Sequence, residues 1–170
     1  HGDHVLVRVT FNNAASNSVK DEIWIYKQNE QGRFKSLQFL TAPPGYFFPN
    51  PYDAQLLVKY RSGFLYVPVI KKNGFSDSQV ALGAAAYAIN SSGDLVFNHV
   101  ITSPDTNLAL VDFDVGGEIA VFTGIGWDGS GLSDGTAYIL RHQGTGHDYV
   151  LEQVIQPSVY TNKIRCVLNG

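Results

Sequence analysis

The chain has 170 residues, a length that suits one domain, and its 44% hydrophobic and 16% charged residues supply a core and carry no signature of disorder. Twelve Lys and Arg stand against fifteen Asp and Glu, a formal charge of −3. That balance argues against a general nucleic-acid binder, which needs a basic face to displace counterions from phosphates.

The first predicted strands are His4 to Phe11, Glu22 to Tyr26 after a polar loop, and Phe34 to Leu40, ending at Pro43. A Pro-stiffened linker, Pro43 to Asp53, carries Tyr46, Phe47, Phe48 and Tyr52. The next strands are Leu56 to Arg61, Phe64 to Ile70, Ala84 to Ile89 and Asp94 to Ile101, with a loop at Asn73 to Asp77 and a turn at Asn90 to Gly93. The order then recurs: Leu108 to Asp114, Gly117 to Gly124, a Gly- and Asp-rich loop from Ile125 to Gly135, Thr136 to His142, a turn, and Asp148 to Gln156. A last strand, Lys163 to Leu168, closes the chain.

These elements form repeats starting at Asp3, Gly63 and Gly117, spacings of 60 and 54 residues. Each of the latter two repeats has a strand in front of it, and the strand missing before Asp3 is found at the C-terminal end. The reading is an all-β chain of three four-stranded antiparallel repeats with no helix of useful length. The first is split between the N- and C-terminal strands (1–44 plus 162–170), followed by 54–104 and 106–157. Four meandering strands in about 55 residues match a β-propeller blade. Short turns make consecutive strands antiparallel neighbours. Ten Phe and nine Tyr beside seventeen Gly and no Met agree with β structure.

The run Glu118-Ile-Ala-Val-Phe-Thr-Gly, the Asp/Gly/Ser loop, Gly135-Thr-Ala-Tyr-Ile-Leu and Val150-Leu-Glu-Gln-Val-Ile-Gln156 resembles the FG-GAP repeats of integrin-α-like β-propellers. Gly135 to Gln156 matches best, the second repeat moderately and the first in outline. The resemblance implies a secreted or cell-surface protein, a lectin or an adhesion module among the possibilities, while the fold alone fixes no activity.

Three blades are too few for a closed ring. Pairing of two chains into six blades is the first expectation, membership in a longer propeller the second and a β-trefoil the third. The start at His1 without Met implies a mature secreted product or an excised piece, and nothing in the chain resembles a signal peptide. No apolar run approaches the roughly 20 residues that cross a bilayer, so no membrane insertion is expected.

Ligand chemistry is expected on the loops that such a scaffold displays. Trp127 with Asp128 and Asp134 combines a flat ring for the C–H face of a sugar with carboxylates that accept from its hydroxyls. Tyr46, Phe48 and Tyr52 of the linker and Phe75 with Asp77 of the second repeat extend that set. The bland alternatives are an Asp-Gly turn with a packed Trp, and linker rings that plug the core or a seam between chains. Asp112 and Asp114 are the candidate calcium ligands, with Gly116 where the family's loop has a third Asp. No other cofactor is expected.

Catalytic signatures are missing: no G-x-S-x-G, no H-E-x-x-H, no Walker loop and no G-x-G-x-x-G opening a helix. His1 and His4 offer the ligand types of the copper site in lytic polysaccharide monooxygenases, but the repeats do not resemble that family. The single Cys166 excludes an internal disulfide and reads as a small core residue. Asn90-Ser91-Ser92 is a glycosylation sequon in a turn. The expectation is a non-enzymatic, carbohydrate-binding homodimer whose partner is a glycan or glycoprotein. The alternatives are an adhesion module that meets protein and, third, a copper or glycan-cleaving enzyme.

Overall fold

The structure, a computed structural model, describes residues 4–13, 18–48, 58–72, 80–104, 108–127, 132–144, 146–156 and 168. Apolar and polar alternation along the chain is realised as strands β1 (His4–Asn13), β2 (Ser18–Gln28), β3 (Phe34–Leu40), β4 (Lys59–Arg61), β5 (Phe64–Lys72), β6 (Val80–Ile89), β7 (Leu95–Thr102), β8 (Leu108–Gly116), β9 (Ile119–Trp127), β10 (Leu132–His142) and β11 (Tyr149–Ile155). Among the described residues there is no helix.

The strands form three antiparallel sheets, each a meander in chain order: sheet 1 is β1-β2-β3, sheet 2 is β4-β5-β6-β7 and sheet 3 is β8-β9-β10-β11. Sheets 2 and 3 hold the strands expected in the second and third repeats, and sheet 1 holds the N-terminal strands of the first. Of the strand expected at Lys163 to Leu168, only Leu168 lies within the described residues.

Register makes the repeat sharper than sequence spacing does. The ladder slips by one residue between Ile25 and Tyr26, between Ala86 and Tyr87, and between Ile139 and Leu140. The extra residues are Leu37, Asn98 and Glu152, at the same point of the outermost strand in all three sheets. A bulge bends and twists its strand locally, so a shared bulge gives the three sheets a shared bend.

Two of the turns are near copies. Asn29 Oδ1 accepts from the N–H of Gln31 and Arg33, and Asn90 Oδ1 accepts from the N–H of Ser92 and Asp94. The side chain imitates a backbone turn, and Gly32 (φ 74°) and Gly93 (φ 87°) take the left-handed residue that completes it.

Sheet 2 lies between the other two. Leu65, Val67, Val69, Ala85 and Tyr87 on one face join Ile23, Ile25 and Leu40 of sheet 1 in a buried core. Tyr66, Ala84, Ala86 and Ile101 join Phe113, Val115, Ala120, Phe122 and Leu140 of sheet 3 in a second. Burial on both faces explains why β5 and β6 read as near-continuous apolar runs, and the consecutive buried residues Ala120 to Thr123 give β9 the same character.

Candidate functional site

Antiparallel order sends equivalent connections to one end of the sheets. The β1–β2, β5–β6 and β9–β10 loops leave from the same end of their sheets as the connections that follow β3, β7 and β11. The tight β2–β3, β6–β7 and β10–β11 turns lie at the other end. Of the expected sugar-site residues, the described Tyr46, Phe48, Trp127 and Asp134 belong to the first end.

Trp127 closes β9 and its backbone pairs with Leu132; the ladder then slips between Leu132 and Gly135, so Asp134 sits in a bulged mouth of the β9–β10 hairpin. The two backbones are thereby held at the root of one loop. The side chains of Trp127 and Asp134, and all of Asp128, Tyr52, Phe75 and Asp77, lie outside the described residues.

The linker aromatics divide. Tyr46 N–H donates to the Pro43 carbonyl at 2.9 Å, and Phe47 exchanges two backbone hydrogen bonds with Ile70, each 2.8 Å. This short bridge imposes strand-like alternation on the linker. Phe47 is left 51% exposed, whereas Phe48, expected among the ligand-facing rings, is 5% exposed and belongs to the core between sheets 1 and 2. Tyr46 is half-buried against that core. Phe48 is therefore set aside as a ligand contact, because pairing of its neighbour turns it inward.

Asp112 and Asp114 are both buried on β8. Asp112 Oδ1 accepts from the Phe113 N–H at 2.9 Å and stands 3.8 Å from Lys59 Nζ. Asp114 Oδ1 accepts from the Val115 N–H at 3.0 Å and stands 3.8 Å from Arg61 Nε, while its Oδ2 accepts from the Leu168 N–H at 3.0 Å. These carboxylates tie sheet 3 to sheet 2 and to the chain end. Two cationic side chains at that range do not suit a calcium ion, which gathers about six to eight oxygens. Among the described residues no group of three or more His, Cys, Asp or Glu is arranged to hold a metal ion.

A histidine cluster was not legible as such in the sequence. His99 of β7 stacks on His147 with ring centroids 4.0 Å apart and planes 5° from parallel, and the Phe64 ring meets His99 edge-on at 6.0 Å. His142 pairs with the Gly146 carbonyl through Nε2 and lies 5.2 Å from the Tyr149 ring. His99 Nδ1 is 2.8 Å from Asn98 Oδ1, and its Nε2 is buried with no hydrogen-bond partner. Burial, then the neighbouring His147 and His142, push the His99 pKa down to about 4. Burial first, and then Tyr149, raise the Tyr66 hydroxyl to about 12. The only hint in the sequence is positional: His99 directly follows the bulge residue Asn98, and His147 lies in the turn before β11.

An apolar cleft of about 170 Å³ lies between sheets 1 and 2 at the turn end, lined by residues that include Leu6, Leu37, Tyr60, Ile89 and Leu95. It is at the opposite end from the expected ligand loops. Compared with protein-family models, with curated proteins and with solved structures, the chain gives no match.

Proposed function

We propose that this chain is a non-enzymatic, extracellular binding module built from blade-type repeats, continued to a six-bladed ring by a second copy, that takes a glycan at the loop end. The observation that carries the reading is the repetition itself. Three meanders share one bulge position and send the same connections to one end, the arrangement of a scaffold with variable loops. Pairing stays inside each repeat, which favours blades over a trefoil.

The ligand class rests on loop chemistry. Trp127, Asp128 and Asp134 would provide a ring platform and hydroxyl acceptors, with Tyr46, Tyr52, Phe75 and Asp77 on neighbouring connections. The test is a glycan array with the wild-type chain and Trp127→Ala. Wild-type binding to a defined set of glycans, lost in Trp127→Ala at an unchanged melting temperature, is the expected result. An array without signal, or a variant that binds as well as wild type, overturns the sugar reading.

A second reading, a protein-binding adhesion module, is favoured by one observation: the outward face of sheet 1 is apolar and aromatic rather than polar.

A further inference from the structure

The middle sheet shows how faces of this molecule are covered. Each stacking contact joins the face of one sheet to the opposite kind of face on the next. The face of sheet 2 that sheet 1 covers is built on the cross-strand pairs Leu65–Tyr87 and Val67–Ala85, all buried. Counted from the shared bulge, their counterparts in sheet 1 are Val5–Tyr26 and Val7–Trp24. They lie on the side away from sheet 2, since Ile23 and Ile25 alternate with them and are buried against it.

That side is open. Val5 is 41%, Val7 40% and Phe39, paired with Trp24, 57% exposed. Trp24 and Tyr26 stack with centroids 6.4 Å apart, and the Trp24 Nε1–H donates to Glu22 Oε2 at 3.1 Å, which satisfies the indole within the sheet. A contiguous apolar face of this kind marks an interaction surface.

The matching face is at the other end of the stack. On the side of sheet 3 turned away from sheet 2, Val150 pairs with Arg141 and Ile155 with Ala137, and both apolar residues are nearly half exposed. Asp114 and Gly116 lie on this same side by alternation from Phe113 and Val115, Asp114 meeting Arg61 of sheet 2 around the edge strand β8. Leu168 is held there, its N–H on Asp114 and its side chain against Gly116. The end of the predicted closing strand is thus fixed at sheet 3, where the inner strand of a following sheet would run.

We infer that the outward face of sheet 1, centred on Val5, Val7, Trp24 and Phe39, is the seat of sheet 3 from a second copy of this chain. The inference rests on the ring proposed above and adds its seam. Two copies placed head to tail make two identical seams and bring six sheets into one ring, a size at which propellers close.

The experiment is the absolute mass of the full chain in solution, by light scattering on a sizing column, for wild type, Phe39→Lys and Val150→Lys. Both side chains are about half exposed within one chain, so neither variant disturbs its own core. A wild-type mass of twice 18.6 kDa, falling to 18.6 kDa in each variant with unchanged far-UV circular dichroism, is the expected result. A monomeric wild type overturns the inference, as does a pair of folded variants that keep the wild-type mass. If one variant fails to fold, the other decides. A dimer that binds no glycan would leave the seam standing and remove the sugar reading; a glycan-binding monomer would do the reverse.

Discussion

The two seams of the molecule perform the same task with different chemistry. Between sheets 1 and 2, branched aliphatics such as Ile23, Ile25, Val67 and Val69 fill the core. The ties across it are neutral: Gln38 Nε2 donates to the Leu95 carbonyl at 2.7 Å, the Leu95 N–H donates to Gln38 Oε1 at 2.8 Å, and the Tyr87 hydroxyl donates to the Thr41 carbonyl at 3.0 Å. Between sheets 2 and 3, Ala84, Ala86 and Ala120 stand beside Phe113 and Phe122, which stack at 6.2 Å. The ties here are charged or titratable, namely Lys59–Asp112, Arg61–Asp114 and the His99–His147 stack. Apolar burial holds both seams, but among the described residues the charged and titratable ties, which answer to pH and salt, lie in the second.

The largest test of that contrast is to empty each core. Phe122→Ala in the second seam should cost about 3–5 kcal/mol and Ile23→Ala in the first about 2–5 kcal/mol, because each leaves a cavity in a fully buried site. Urea unfolding at pH 8 and pH 5 measures both. The Ile23→Ala loss should be the same at the two values; a loss that changes with pH would break the contrast.

A smaller effect is expected from the neutral tie. Gln38→Ala removes both hydrogen bonds to Leu95 and should cost about 1–3 kcal/mol with no pH dependence, read by the same unfolding curves.

The smallest is the titration of the second seam. Unfolded, His99 takes its proton near the ordinary histidine value of 6.5; folded, it waits until about 4. Between those values the unfolded chain holds more protons, so acid favours unfolding. This contribution is complete above pH 6.5 and lost as pH falls toward 4. Thermal melts should be flat from pH 8 to 7 and decline below it, and His99→Gln should flatten the decline. An unchanged slope in that variant would assign the acid sensitivity to other groups.

Strand order was legible because its signals are local. Two-residue spacing of Val5, Val7 and Val9 and the Asn-x-x-Gly turns at Asn29 and Asn90 act over a few residues. The linker shows where legibility stops. Phe47 and Phe48 are equivalent as residue types, and their roles diverge only through pairing with Ile70. Asp112 and Asp114 read as possible metal ligands until Lys59 and Arg61, more than 50 residues earlier, arrive beside them.

By itself the sequence determined the β class, the three repeats and the end of the sheets to which each loop belongs. Spacing and alternation are carried by neighbouring residues. Tertiary structure alone decided which strand faces are covered, which carboxylates meet cations, that three histidines share one corner, and that Val5, Val7 and Phe39 on the outward face of sheet 1 stay exposed. Those outcomes depend on contacts between distant segments, and burial and charge pairing are settled only when the sheets stack.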